Sequence, residues 1–265
     1  MESITFTKNE FSELKALVYK TSGINLHDGK LELLKSKVAK RMRSTTKSLK
    51  DYLVYLKNNE QEIVEFIDTV TTNHSFFFRE NKSIEHIVNQ FNYHSQKTKK
   101  HFKIWCAASS TGDEPYSVAM QMENLGLSFS MVATDISHSV LSVAQRGIYK
   151  KDKVKKVPIP MMHRFFQNGT GKYNGYVKIK KQLAQQIVFK KFNLISDTIP
   201  KMDFDAVLCR NVMIYFDEKT SEKVVNKLYQ SLLPGGFFAV GNAESIMNLK
   251  QKFNSVKGIH SLYVK

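Results

Sequence analysis

The sequence predicts an α/β fold: a parallel sheet with crossover helices that carries a small antiparallel β-insertion and follows an all-α amino-terminal domain. Three observations predict it. From Phe6 to about Val70 the pattern is helical, without strand-like alternation. Beyond about Lys100, short β-rich runs alternate with helices, the order of a parallel sheet. Between Tyr149 and Ile187, the pairs Asn168-Gly169 and Asn174-Gly175 precede the alternating Tyr176-Val177-Lys178-Ile179, and Asn-Gly favours tight hairpin turns. The 265 residues divide into a helical domain 1–70, a connecting segment 71–100, and a sheet domain 101–265 with its β-subdomain at about 155–186.

In the helical domain, one strong turn stands at Ser22-Gly23. After it Leu31, Leu34, Val38 and Met42 share a stripe at helical spacing, flanked by Lys37 and Arg41, with Lys40, Arg43 and Lys47 opposite. One face packs and the rest is cationic, as either a solvated face or an electrostatic docking surface. The connecting segment opens Thr71-Thr72-Asn73-His74-Ser75-Phe76-Phe77-Phe78-Arg79-Glu80. Three consecutive aromatics cannot all face one core on a helix. The segment is therefore buried between domains, or it closes over a ligand and offers Arg79 to a carboxylate.

Strands are expected at Phe102 to Ala107, Ser130 to Thr134, Ile187 to Phe192, Ala206 to Cys209 and Phe237 to Val240. Helices are expected from Pro115, from about Val140, and from Glu218 to Leu233, where Pro234-Gly235-Gly236 reads as a stop. The first strand runs into Ala107-Ala108-Ser109-Ser110-Thr111-Gly112-Asp113-Glu114-Pro115. Small residues there let a ligand approach the backbone, and Pro115 suits a first helical position. With two acids and no spaced glycines, the loop fits a nucleoside carrying positive charge better than a diphosphate.

Asp135 ends the second strand about 20 residues after that loop, where such folds hold a ribose; a helix N-cap is the other reading. Asn193-Leu194, past the third strand, could frame an adenine between an amide and an apolar contact. In Cys209-Arg210-Asn211-Val212-Met213-Ile214-Tyr215-Phe216, a cation and an amide interrupt an apolar segment, which calls for a ligand or a paired carboxylate.

The net charge of +16 points to an acidic partner: nucleic acid, an anionic membrane surface or an acidic protein. Two cysteines, Cys106 and Cys209, argue against a disulfide framework or a cysteine zinc site, and no histidine stands at metal-ligand spacing from His74. The amino terminus lacks a signal pattern and no apolar stretch approaches a membrane span, so a cytoplasmic protein without membrane insertion is expected.

Taken together, these motifs resemble those of the bacterial chemotaxis receptor glutamate methyltransferases, the CheR family. The resemblance runs in the family's order through Thr72-Asn73, Phe77-Phe78-Arg79-Glu80, Ala107 to Ser117, Thr134-Asp135-Ile136, Asn193-Leu194, and Cys209 to Phe216 followed by Asp217. It implies a Rossmann-like domain dependent on S-adenosylmethionine, with S-adenosylhomocysteine as product and no metal. By the same resemblance Asn73, Ser75, Arg79, Glu114, Asp135, Asn193, Leu194, Arg210 and Asn211 would surround the cofactor. Arg79 and Tyr215 would lie near the transferred methyl, and the segment 71–100 would cover the cofactor. The basic helix bearing Lys37, Arg41 and Arg43 would dock the acidic helical bundle of methyl-accepting chemoreceptors. Ser75 stands where the family usually has threonine. One loop departs further: Gly241-Asn242-Ala243-Glu244 replaces the usual Gly-His-Ser-Glu.

The resemblance thus implies methyl transfer to glutamate carboxylates. Two other classes remain: a non-catalytic module that senses the cofactor or docks on receptors, and a nucleic-acid methyltransferase. The charge and the Asn211 to Tyr215 spacing favour the last. Against it, Val212-Met213-Ile214 stands where amino-group methyltransferases carry prolines, and no basic groove interleaved with aromatics is visible.

Overall fold

The computed structural model describes residues 6–26, 31–45, 48–71, 74–199, 203–247, 249 and 253–265. Helices α1 (Lys8–Ser22), α2 (Leu31–Thr45), α3 (Leu49–Asn58) and α4 (Glu60–Val70) form the amino-terminal domain. A capping box starts α1: the Thr7 hydroxyl accepts from the Glu10 N–H at 3.2 Å while the Glu10 carboxylate accepts from the Thr7 N–H at 2.8 Å. Gly23, at φ 73°, ends it. Leu14, Val18, Leu34, Val38, Tyr52, Leu56 and Phe66 fill the core, so Leu34 and Val38 do face inward on the expected stripe.

The segment 71–100 is mostly structured. Helix α5 (Lys82–Thr98) buries Ile84, Ile87, Val88 and Phe91 against the sheet domain, and Phe91 stacks on Phe102 at 4.1 Å. Its apolar positions recur at helical spacing, a signal the reading of the sequence did not use.

The sheet domain then runs β1 (Phe102–Ala107), α6 (Asp113–Asn124), β2 (Phe129–Asp135), α7 (His138–Arg146), β3 (Ile148–Lys150), α8 (Ile159–Phe165), β4 (Phe166–Asn168), β5 (Tyr176–Ile179), α9 (Lys181–Ala184), β6 (Ile187–Lys191), β7 (Phe204–Cys209), α10 (Glu218–Gln230), β8 (Leu232–Ala239), β9 (Asn254–Val256) and β10 (Ile259–Val264). Seven strands lie in the order β6-β2-β1-β7-β8-β10-β9. The first five are parallel, and β10 and β9 are added antiparallel. Strand order reverses between β1 and β7, so a crevice opens at their carboxyl ends.

Three readings of the sequence are corrected. Pro115 is the third residue of α6, not the first; its missing N–H is harmless there because first-turn donors have no intrahelical acceptor. Helix α10 ends at Gln230 rather than Leu233, since Leu232 is drawn into β8 beside Phe204 and is 1% exposed. Pro234-Gly235 is accordingly an irregularity within that strand, not a helix stop. The antiparallel sheet, in the order β3-β5-β4, begins at Ile148 rather than 155, because Ile148 and Tyr149 pair with Lys178 and Val177. Strands β9 and β10 were not read from the sequence.

Candidate active site

The loops after β1, β2, β6 and β7 surround a cavity of about 320 Å³ at the switch point. Ser75, Arg79, Glu114, Asp135, Asn193, Leu194, Arg210, Asn211 and Tyr215 all line it. Asn73, with Thr72, and the helical-domain cation Lys47 lie outside the described residues.

The loop after β1 is wound tightly: Ala108, Ser110 and Gly112 have φ of 60°, 48° and 85°. Gly112 is required on space as well, because a Cβ there would stand 2.9 Å from the Ala144 Cβ. Asp135 pins the loop from below, its Oδ2 accepting from the Ser110 N–H at 2.8 Å and its Oδ1 from the Ser137 N–H at 3.0 Å. Ser137, not Asp135, caps α7 by accepting from the Val140 N–H, which removes the N-cap reading of Asp135. Burial raises the Asp135 carboxyl against the pull of those N–H donors, and the Asp68 carboxylate adds to the rise.

Arg210 is the hub of the β7 end. Its side chain is 2% exposed; Nη1 donates to Glu114 Oε2 at 2.7 Å, and Nη2 to the carbonyls of Arg79 and Glu80 at 2.9 Å each and to Glu80 Oε2 at 3.3 Å. The paired-carboxylate reading of Arg210 therefore holds. Burial raises the Glu114 carboxyl while Arg210 pulls it back. For Glu80 burial also pushes upward, but the Asn242 N–H, Arg210, the Asn211 amide and Arg79 together hold it below its ordinary value.

Asn211 sits at φ 58° at the start of a turn that carries Tyr215. Glu244, which is buried, fixes this turn by accepting from the N–H groups of Asn211 at 2.8 Å, Ile214 at 3.2 Å and Gly241 at 2.6 Å. A Cβ at Gly241 would run into the Asn211 amide and crowd the Glu244 carboxylate. The two residues that depart from the family pattern, Asn242 and Ala243, are exposed, and Asn242 serves through its backbone N–H, 2.8 Å from Glu80 Oε2. The loop's persistent glycine and acid are the parts that hold the site.

The aromatic run is divided between the core and the cavity. Phe77 is fully buried against Tyr149 and Phe166, whereas Phe76 lines the cavity beneath Arg79, whose guanidinium carbon lies 5.5 Å from the ring centre. Arg79 Nη1 donates to the His74 carbonyl at 2.8 Å. Among the described residues, no protein group bonds the Tyr215 or Ser75 hydroxyl.

Two predicted residues make further contacts within the protein. The Asn193 amide donates to the Thr21 carbonyl at 2.6 Å and accepts from the Ile195 N–H at 2.9 Å, so besides lining the cavity it joins the helical domain to the sheet. Arg41 turns inward onto buried Glu62, with bonds of 2.9 and 2.6 Å, and Glu62 also accepts from the Tyr52 hydroxyl at 3.0 Å. Its charge is thus neutralised within the domain. Lys37 is half-buried and Arg43 exposed, and neither has an ion-pair partner among the described residues. The reading of the sequence missed Ser22, Ile24, Asn25 and Leu26, which form a further wall of the cavity. Only the turn signal at Ser22-Gly23 pointed to that stretch. Among the described residues no cluster of three or more His, Cys, Asp or Glu is arranged to hold a metal, and no helix is long and apolar enough to cross a membrane.

Comparison with known proteins gives consistent matches. The CheR methyltransferase SAM-binding domain matches residues 73–262, and the CheR methyltransferase all-alpha domain matches residues 9–71. The chain is 33% identical over 263 residues to the chemotaxis protein methyltransferase of Escherichia coli K12, covering 95% of this chain and 90% of that one. It is also 33% identical over 258 residues to chemotaxis protein methyltransferase 2 of Pseudomonas aeruginosa, covering 95% and 91%. The corresponding figures for the chemotaxis protein methyltransferase of Borreliella burgdorferi are 33% over 267 residues, covering 94% and 92%.

Proposed function

The chain belongs to the CheR methyltransferase family, enzymes of chemotaxis that use S-adenosylmethionine, and we propose that its acceptor is the glutamate side chain of acidic chemoreceptor helices. The observation that carries this reading is the meeting of Arg79 and Tyr215 with Glu114 and Asp135 in one cavity.

The lining suits S-adenosylmethionine. The hydroxyl of Ser110 is buried without a partner in the loop after β1, and the carboxylates of Glu114 and Asp135 suit an amine and a ribose. Ile136, Phe192 and Leu194 offer apolar surface for a base. Bound there, S-adenosylmethionine supplies a methyl group activated by its sulfonium. Asp135 would bind the ribose and Glu114 the amino group, with Arg210 keeping Glu114 in place. Ser75 and Asn211 contribute to the same wall, and Asn73 is assigned there by the family resemblance.

A glutamate side chain titrates at about 4.3, so near neutral pH the acceptor is already an ionised nucleophile and no general base is needed. The protein's part is to align the carboxylate and keep water out. Arg79, with a planar fork of donors, would hold the carboxylate, and Tyr215 would orient it or face the methyl. Lys37 and Arg43 are among the cations of α2 available for an acidic partner, with Arg41 supporting the helix from within.

The test is transfer of labelled methyl from S-adenosylmethionine to a soluble acidic receptor fragment, followed by mild alkali. Label released as methanol, and absent with Arg79→Ala, supports a glutamate ester. Alkali-resistant label removed by nuclease would move the acceptor to nucleic acid, and tight cofactor binding without transfer would favour a sensing module.

A further inference from the structure

The backbone that carries Tyr215 is held from two sides. Within the sheet domain, Glu244 anchors the start of the turn through the N–H groups of Asn211 and Ile214. Its end is anchored by the helical domain. The Asn25 N–H donates to the Tyr215 carbonyl at 2.8 Å. Two residues on, the Tyr19 hydroxyl donates to Asp217 Oδ2 at 2.8 Å and lies 3.0 Å from Thr220 Oγ1. Tyr19 belongs to the last turn of α1, and Gly23 follows so closely on the sheet domain that a Cβ would stand 2.6 Å from Ile195 Cδ1. Thr21, through Asn193, closes the same contact at 2.6 Å.

No described protein group bonds the Tyr215 hydroxyl, so its place in the cavity depends on where the backbone sets its Cα and on packing, not on a bond at its tip. The backbone in turn is fixed by bonds whose other ends lie on two different domains. We propose that Tyr19 is a positioning residue for Tyr215, and that the 19–26 stretch makes the helical domain a structural part of the transfer site. The proposal rests on the reading that Tyr215 stands beside the transferred methyl. It gives the helical domain a second task besides docking: α1 shares one hydrophobic core with the basic helix α2, so a partner bound on α2 is mechanically joined to Tyr215.

The test uses the full chain with Tyr19→Phe, which removes only the hydroxyl, alone and combined with Tyr215→Ala. Turnover, KM for S-adenosylmethionine, Kd for S-adenosylhomocysteine and the thermal midpoint are measured for each. Loss of one hydrogen bond that orients a transfer group predicts a fall in kcat of about fivefold for Tyr19→Phe, with KM and Kd within about twofold of the parent. In the Tyr215→Ala background the same substitution should cost nothing further. An unchanged kcat with a lowered midpoint, or a weakened Kd with unchanged kcat, would overturn the proposal, as would an equal loss in both backgrounds. If Tyr215→Ala alone keeps full turnover, the role given to Tyr215 falls and this inference with it; the other outcomes remove only the inference.

Discussion

At the β1 and β7 end of the cavity the charged groups are tied to one another, whereas at the end bearing Arg79 and Tyr215 the side chains have few protein partners. Arg210 reaches Glu114 and Glu80, and Glu244 gathers three N–H groups. Arg79, by contrast, has among the described residues one bond to a backbone carbonyl and a longer 3.6 Å approach to Glu80. The contrast separates two requirements. A polar frame that must keep its shape has its charges paired with one another, because an unpaired charge in a low dielectric is costly. The groups proposed to meet a visiting carboxylate are left with unfilled donors.

The largest expected effect tests the frame. Arg210→Met leaves Glu114 and Glu80 without their shared cation and should lower the unfolding free energy by about 3–5 kcal/mol in urea titrations. Adding Glu114→Gln should recover part of that loss; a single-variant loss below about 1 kcal/mol would show that the frame is not under electrostatic tension.

Next comes the division between the two ends. Arg79→Ala should reduce kcat by about 10²–10³ while leaving the urea midpoint close to the parent. Asp135→Ala should instead weaken S-adenosylhomocysteine binding by about 10–100-fold in calorimetry. Equal loss of affinity in both variants would erase the distinction.

A smaller effect concerns pH. The Glu80 carboxyl is held below its ordinary value in the folded state, so the stability it contributes is complete above the ordinary glutamate range and is lost as pH falls through the lowered value. Glu80→Gln should therefore flatten the acid limb of stability between about pH 5 and pH 3, followed by urea midpoints. A limb of unchanged slope would assign acid sensitivity to other carboxylates. The smallest effect belongs to Asn242→His and Ala243→Ser, which restore the family's usual residues at exposed positions. Each should alter stability by no more than about 0.5 kcal/mol.

Much of the site was legible because loops at strand ends carry residues of unusual type. Asp135 after an apolar strand and Arg210-Asn211 inside an apolar run both call for partners, and each is found with them. Helix α10 was overrun by three residues because Leu232 and Leu233 fit a helical face as well as a strand, and pairing with Phe204 decided the matter. The basic helix α2 showed its charge but not which cation is internal: Arg41 and Arg43 are two residues apart, and Glu62, from another helix, selects the first.

By itself the sequence determined most of the elements, the parallel strands with their antiparallel insertion, and the loops that carry the cavity's acids and amides, because periodicity, turn chemistry and the cost of burying charge are local properties. The tertiary structure alone decided that Glu244 braces the turn of Tyr215, that Glu80 joins three loops, and that the end of α1 walls the cavity. These contacts link residues 33, 131 and 198 positions apart, and chain separation of that order leaves no trace in local pattern.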